Sequence, residues 1–379
     1  MPSLLSQLDT QPRVRDFLAG AVSQGRVSHA YLFLGAPGSG KLDAAWALAQ
    51  AILCSKKDDA GAPVHGCGAC DDCVRVARHT HPDVHLLEPE SATGYLIAQT
   101  RALLEDVALA PIRGGGKVYI VDRTEQLRSN TANALLKTLE EPPAGVTFIL
   151  LGTSADAILP TIVSRCQCVP FRTVSPVRAA EAVERATGLP AARCRMAVAV
   201  AGSPARATEF LKSADRQEAR RTMLRAVAEL PTADEADVLT AAKDVIVACD
   251  APLAEVESTQ KAVLEQNADY LSRGALKQLE DRNKRELTAR RRSGIMEVLA
   301  SARSLLRDVL MRLEGASTAP VNADASDAVD RLSSRATAAG ALRALDAVSR
   351  AEERIARNVT PQLAVEVMLF DIRKALSCP

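Results

Sequence analysis

Aromatic residues make up only 3% of this 379-residue chain: six Phe, four Tyr and one Trp. With alanine abundant, that scarcity favours a helix-rich protein over an all-β one. No apolar run approaches the roughly 18 residues needed to cross a bilayer. Met1-Pro2-Ser3-Leu4-Leu5-Ser6-Gln7 has neither a basic leader nor a long apolar core, so no signal peptide is expected and the protein is read as soluble and cytoplasmic. Charge of one sign is also missing. Forty-seven Lys and Arg face 46 Asp and Glu, a net charge of +1 that excludes coating nucleic acid by charge alone and leaves room only for a local basic strip. No internal repeat is visible. What is present, 47% hydrophobic and 25% charged residues, excludes wholesale disorder, and the length suggests two or three domains.

The nine cysteines are odd in number and unevenly spread, which does not read as a disulfide framework. Four of them cluster: Cys54, Cys67, Cys70 and Cys73, the last three as C-x2-C-x2-C in a glycine-rich turn. Four thiolates so spaced can close a tetrahedral Zn2+ site with no open position, a structural site. The alternatives are an iron–sulfur cluster, although the fourth cysteine and the proline of the ferredoxin run are missing, and free thiols. His65, His79, His81 and His85 flank the site as substitutes for Cys54 or as plain surface residues.

Short apolar runs alternate with helical patterns through the first half. Ala30–Leu34, Val84–Leu87, Val118–Val121, Thr147–Leu151 and Cys168–Phe171 read as buried strands, and the helices between them call for a mostly parallel sheet covered on both faces. From about Ser175 strand signals stop. Residues 175–213 read as short helices broken at Gly202-Ser203-Pro204. Beyond 216 the chain is helical, with Leu299, Ala302, Leu305, Leu306, Val309, Leu310 and Leu313 on one face, and 315–326 is a polar loop.

Gly35-Ala36-Pro37-Gly38-Ser39-Gly40-Lys41 follows the first strand and opens a helix, the context a phosphate-binding loop requires: backbone N–H groups cradle phosphates and Lys41 reaches the outer oxygens. Leu42 stands where Ser or Thr would ligate Mg2+. Asp122 ends a strand, where a Mg2+-holding carboxylate belongs, with a turn or capping residue as the plainer reading. Arg123 follows it, so no adjacent acid activates water. Both departures point to a site that does not hydrolyse ATP efficiently. Arg165, in Ser164-Arg165-Cys166, is a surface ion-pair partner or an arginine finger for a neighbouring subunit's γ-phosphate. Arg290-Arg291-Arg292 reads as a solvated helix face, with DNA or partner contact as the alternative.

Val118–Asp122 through Glu125-Gln126-Leu127, then Ala132–Pro143 with its Leu139-Glu140-Glu141-Pro142-Pro143 end, Leu159–Cys166, Ser28-His29-Ala30 and the four cysteines together resemble the clamp-loader AAA+ ATPases of bacterial DNA polymerase III, and among them the delta-prime branch. The likeness is good over roughly 5–213 and holds only in character beyond, including Asn358-Val359-Thr360-Pro361-Gln362-Leu363. It implies an α/β AAA+ module at 1–173 with a zinc module at 54–73, a small helical lid at 174–214 and an all-helical collar at 215–379. It implies that Gly35, Pro37, Gly38, Ser39, Gly40, Lys41, Leu42 and Asp122 line an ATP or ADP site with Mg2+, with Thr153 as sensor 1 and Arg206 as sensor 2. Arg165 would act in trans, and Arg101 matches a basic position facing DNA, an ordinary ion pair being equally open. The implied function is a stator-like subunit of the polymerase holoenzyme, a nucleotidyltransferase complex, with weak or no ATPase of its own. It would be a monomer when isolated and would join tau/gamma and delta subunits in a hetero-pentamer that puts a sliding clamp on primer–template DNA. The alternative is a motor ATPase of the tau/gamma type, against which Leu42 and Arg123 speak.

Overall fold

The computed structural model describes residues 3–57, 64, 66–89, 94–113, 115–267 and 273–377. Two compact units, Met1–Ala182 and Val183–Pro379, each have their own core.

In the first unit, α1 (Pro12–Ser23), β1 (Ala30–Leu34), α2 (Lys41–Ile52), α3 (Asp71–Ala77), β2 (Val84–Leu87), α4 (Ile97–Val107), β3 (Lys117–Val121), α5 (Ser129–Glu140), β4 (Val146–Gly152), α6 (Pro160–Val163) and β5 (Gln167–Pro170) follow in order. All five strands are parallel, in the order β2-β3-β4-β1-β5. Strand residues alternate between two cores, as a two-residue side-chain period requires. Tyr31, Phe33, Val118, Ile120, Ile149 and Leu151 pack with α1, α2 and Val76 of α3. Ala30, Leu32, Tyr119, Val121, Phe148 and Leu150 pack with α4, α5 and α6. Both faces are covered, which is why the central strands carry almost no polar residue.

α7 (Pro176–Thr187) crosses the division between the units. The regular elements described in the second unit are all helical, among them α8 (Ala191–Ala201), α9 (Pro204–Lys212), α10 (Ala214–Glu229), α11 (Glu235–Asp250), α12 (Ala254–Asn267), α13 (Arg273–Leu313), α14 (Ser326–Ser333), α15 (Ala338–Ala356) and α16 (Pro361–Ser377). The break between α8 and α9 is built as the sequence reads: Gly202 takes φ +78°, the Ser203 side chain caps α9 and Pro204 is its first residue. α13 runs for 41 residues, about 60 Å, and buries Ile295, Val298, Leu299, Ala302, Leu305, Leu306 and Val309 against α10, α11, α15 and α16.

The polar loop after α13 is tied inward. Asn322 is fully buried. Its backbone N–H donates to Asp308 Oδ2 at 2.7 Å, and its amide nitrogen donates to Asp308 and to Ser304 Oγ at 2.8 and 2.9 Å. Arg220 donates to Asn322 Oδ1 at 2.8 Å and reaches Asp324 on both carboxylate oxygens. Asn322→Ala would strip Arg220, Ser304 and Asp308 of a buried partner at once. A loss of about 2–3 kcal/mol is expected in denaturant unfolding of the second unit, with the first unit unchanged.

Candidate nucleotide and metal sites

The loop between β1 and α2 is shaped by its glycines. Gly38 and Gly40 have φ +77° and +86°, a region where a side chain is strained, and Gly40 caps α2. At Gly35 a Cβ would lie 2.7 Å from the Phe171 carbonyl oxygen, so only glycine lets the loop cross the end of β5. Gln11 braces the crossing: its Nε2 donates to Ser39 O at 3.0 Å and to Arg172 O at 2.6 Å. Ser39 is buried and its hydroxyl has no partner among the described residues.

Lys41 folds over the loop and donates to the Gly35 and Ala36 carbonyls, the latter at 3.1 Å. Burial lowers its pKa, opposed by the carboxylates of Glu125 and then Asp122. Asp122 stands at the end of β3, and Thr153 follows β4 directly. β4 pairs with both β1 and β3, and Gly35 N–H donates to Gly152 O at 3.1 Å, so the loop, Asp122 and Thr153 share the carboxyl edge of the sheet. Leu42 is exposed at the second residue of α2 and offers no oxygen. Arg123, in the left-handed region at φ +47°, places its Nε 3.4 Å from the Asp122 carboxylate. Glu125 was not singled out by the sequence reading. It sits in a 3-10 turn at Thr124–Gln126 with one buried carboxylate oxygen unpartnered among the described residues, and its charge is the largest acting on Lys41.

The sulfurs of Cys54, Cys67, Cys70 and Cys73 lie within 4.8 Å of one another. Cys54–Cys70 and Cys67–Cys73 are each 3.9 Å apart, far beyond a disulfide and close to the ~3.8 Å edge of a tetrahedron with metal–sulfur bonds of about 2.3 Å. The four donors therefore fit one metal ion, while a cluster that interposes several iron and sulfide atoms needs a wider cage. Backbone N–H groups point at the sulfurs: Cys67 N at Cys54, Ala69 N and Cys70 N at Cys67, and Cys73 N at Cys70, all at 3.3–3.4 Å. Burial works to raise the Cys70 thiol pKa. The Cys73 N–H and hydrogen bonds from Ser55 outweigh it and bring the value down to about 6. Cys73, buried at the start of the same short helix, is pushed up chiefly by desolvation.

None of the described histidines joins this group. His79 stacks on Trp46 with ring centroids 4.0 Å apart, His81 lies 3.4 Å from Asp72, and His85 stacks on Tyr119 at 5.0 Å. His65 and Cys378 lie outside the described residues. The module is fastened to α2: Gln50 Nε2 donates to Cys73 O at 3.0 Å. Arg113 fastens it from below, pairing with Asp71 and Asp72 of α3.

The remaining sequence candidates are placed separately. Arg165, between α6 and β5, pairs with Glu140 at the end of α5. Arg101 is exposed on α4 and makes no ion pair among the described residues. Arg206, in the second unit, donates to Ser293 Oγ at 2.6 Å and Glu297 Oε1 at 2.9 Å. Arg290 pairs with Glu286 and Arg291 with Asp250, while Arg292 donates to Ala356 O, the pattern of a solvated helix face.

Residues 10–175 match the family described as DNA polymerase III, delta subunit. The chain is 39% identical over 168 residues to the delta-prime subunit of DNA polymerase III from Bacillus subtilis, covering 44% of this chain and 49% of that protein. It is 40% identical over 165 residues to the tau subunit from Salmonella typhimurium, covering 44% of this chain and 25% of that protein. The matched region is thus half or less of each relative's length. A DNA polymerase III gamma subunit-related protein from Thermotoga maritima is similar over 95% of this chain and 99% of its own, at 16% identity and a TM-score of 0.41. Through residues 10–175, a stretch that takes in the loop, the cysteine module and the Ser-Arg-Cys segment, the chain is similar to the delta-prime and tau subunits of DNA polymerase III.

Proposed function

We propose that this chain is a stator-like clamp-loader subunit. It would bind nucleotide weakly or moderately, turn it over slowly if at all, and present Arg165 to an adjacent motor subunit. The observation that carries the reading is the pair of departures around an otherwise complete phosphate loop. Leu42 supplies no metal ligand, and the residue after Asp122 is a guanidinium held against that carboxylate. Glycines 38 and 40, the start of α2 and Lys41 retain the means to hold a triphosphate, with Asp122 left to hold Mg2+, whose chemistry would be to neutralise the phosphate oxygens. Thr153 and Arg206 would serve as sensors. The segment 1–173 would be the nucleotide-binding module, 174–214 a lid and 215–379 a collar joining tau/gamma and delta subunits in a hetero-pentamer. Arg101, exposed on α4, would touch the phosphate backbone of primer–template DNA, a contact that weakens with salt. The metal at the four cysteines would be Zn2+ in a structural role, and the compartment the cytoplasm. Among the described residues no helix is long and apolar enough to cross a membrane.

The test is steady-state ATPase of the purified chain alone and then with tau/gamma, delta, clamp and primed DNA. Little turnover alone and a strong gain in the mixture is the expected result. The rival reading, a motor of the tau/gamma type, draws on the 40% identity to a tau subunit and on Glu125 facing Lys41. It requires robust turnover by the isolated chain, abolished in Lys41→Ala. On the stator reading the same substitution weakens ATP binding about 10- to 100-fold by removing a charge-assisted bond, measured by fluorescent-nucleotide titration, and turnover by the isolated chain stays low throughout.

A further inference from the structure

A guanidinium has five N–H donors in a fixed fork. In Arg165, Nε donates to Glu140 Oε1 at 2.7 Å and Nη2 donates to the same oxygen. Nη1 donates to the Thr161 carbonyl at 2.8 Å and to Ser164 Oγ at 3.3 Å. Four donors are thus committed within the chain, and the Nε/Nη2 edge, the one suited to bidentate grasp of an anion, is taken by a carboxylate. The pair is not buried: the Arg165 and Glu140 side chains are 31% and 47% exposed. Glu140 is also misplaced for its helix. It is the last residue of α5, where the macrodipole disfavours a negative charge, and Pro142 and Pro143 bar any continuation.

We propose that Glu140 is an internal counter-anion that holds Arg165 off until the phosphoryl group of a nucleotide on a neighbouring subunit displaces it from the same guanidinium edge. This rests on the reading of Arg165 as a finger. The exchange needs no rearrangement of the arginine's base, because the Nη1 bonds to Thr161 and Ser164 can persist while the Nε/Nη2 edge changes partner. An exposed ion pair is weak enough to be displaced, and a triphosphate carries more charge than one carboxylate. In the unassembled subunit Glu140 also neutralises a cation that would otherwise attract stray anions.

The experiment is ATP-dependent turnover of the reconstituted complex with wild-type chain, Glu140→Ala, Glu140→Gln, Arg165→Ala and the Glu140→Ala/Arg165→Ala double variant. Glu140→Ala should lower the ATP concentration for half-maximal rate by up to about fivefold, the fraction of Arg165 released from an exposed pair, at unaltered kcat. Glu140→Gln, which keeps an acceptor without the charge, should fall between it and wild type, and the double variant should equal Arg165→Ala. A half-saturating ATP that rises, a kcat that falls, or no change in Glu140→Ala would overturn the counter-anion role. If Arg165→Ala alone leaves the rate unchanged, the finger itself fails, an outcome visible without touching Glu140.

Discussion

Arg165→Ala is expected to slow hydrolysis at the motor site it serves by about 10³–10⁵, the range a finger contributes by meeting charge on the transferring phosphoryl group. The loss should appear in single-turnover ATP cleavage by the reconstituted complex on clamp and primed DNA. The isolated chain should keep its fold: Arg165 lies on the surface of the first unit, and an exposed pair with Glu140 is worth at most about 1 kcal/mol. Arg165→Lys should recover little, because an ammonium cannot present the paired N–H edge that phosphate oxygens accept. The salt dependence separates this role from DNA binding. A finger variant loses rate at saturating DNA, whereas Arg101→Ala should weaken DNA binding uniformly across sequences, flatten its slope against salt and leave the saturated rate in place. A complex that cleaves ATP at the wild-type rate with Ala at 165 would remove the trans role and leave Arg165 as the ion-pair partner of Glu140 and cap of the Thr161 carbonyl.

Much of this molecule was legible before its coordinates, for identifiable reasons. The five strands fall within a residue of where the apolar runs put them, but only β1, β3 and β4 are buried on both faces; β2 and β5, read as buried too, are the sheet's edges and lie mostly half-buried or exposed. The cysteine spacing and the Gly202-Ser203-Pro204 break are local chemistry, and local chemistry survives in one dimension. The contacts that give the site its character are long-range and leave no periodic trace. Gln11 reaches Arg172 across 161 residues to brace the loop between β1 and α2, and nothing around Gln11 marks it out. The Arg220–Asn322–Asp308 network joins a helix to a loop 102 residues away, so 315–326 reads as an idle polar segment although Asn322 is fully buried. Glu125 lies past the position directly after Asp122, where an adjacent acid would be expected, so the sequence does not mark it. A 3-10 turn brings the acid three positions later toward Lys41. Glu140 belongs to the Leu-Glu-Glu-Pro-Pro run on which the family resemblance rests, yet its pairing with Arg165 depends on the end of α5 meeting the turn after α6.

The second large effect concerns the four cysteines. Cys73→Ser is expected to abolish stoichiometric Zn2+ and to destabilise the first unit by several kcal/mol, since structural zinc of this kind contributes on the order of 10 kcal/mol to the fold that holds it. Cys73 is the buried one of the four, it begins the packed part of α3, and its carbonyl receives the Gln50 amide from α2. Losing the metal therefore loosens the far end of the helix that starts at Lys41. Trp46 gives a direct readout: the chain's single tryptophan lies on α2 stacked against His79, just past α3, so its emission should shift when the module opens. Acid should act in the same direction, with the sign set by the thiols. Cys54 and Cys73 have pKa values raised chiefly by burial and are protonated at neutral pH without metal, so binding must expel their protons. Affinity then falls as pH falls, by about tenfold per pH unit for each proton released. Cys70, at about 6, adds a further loss below that value. Zinc titrations in two buffers of different ionisation enthalpy, followed by Trp46 emission, should show release of at least the two protons of Cys54 and Cys73 near neutral pH. Release of none, or nucleotide affinity and Trp46 emission unmoved after chelation, would mean that the cysteines are preformed thiolates or that α2 is held without them, and the structural role assigned to the metal would be wrong.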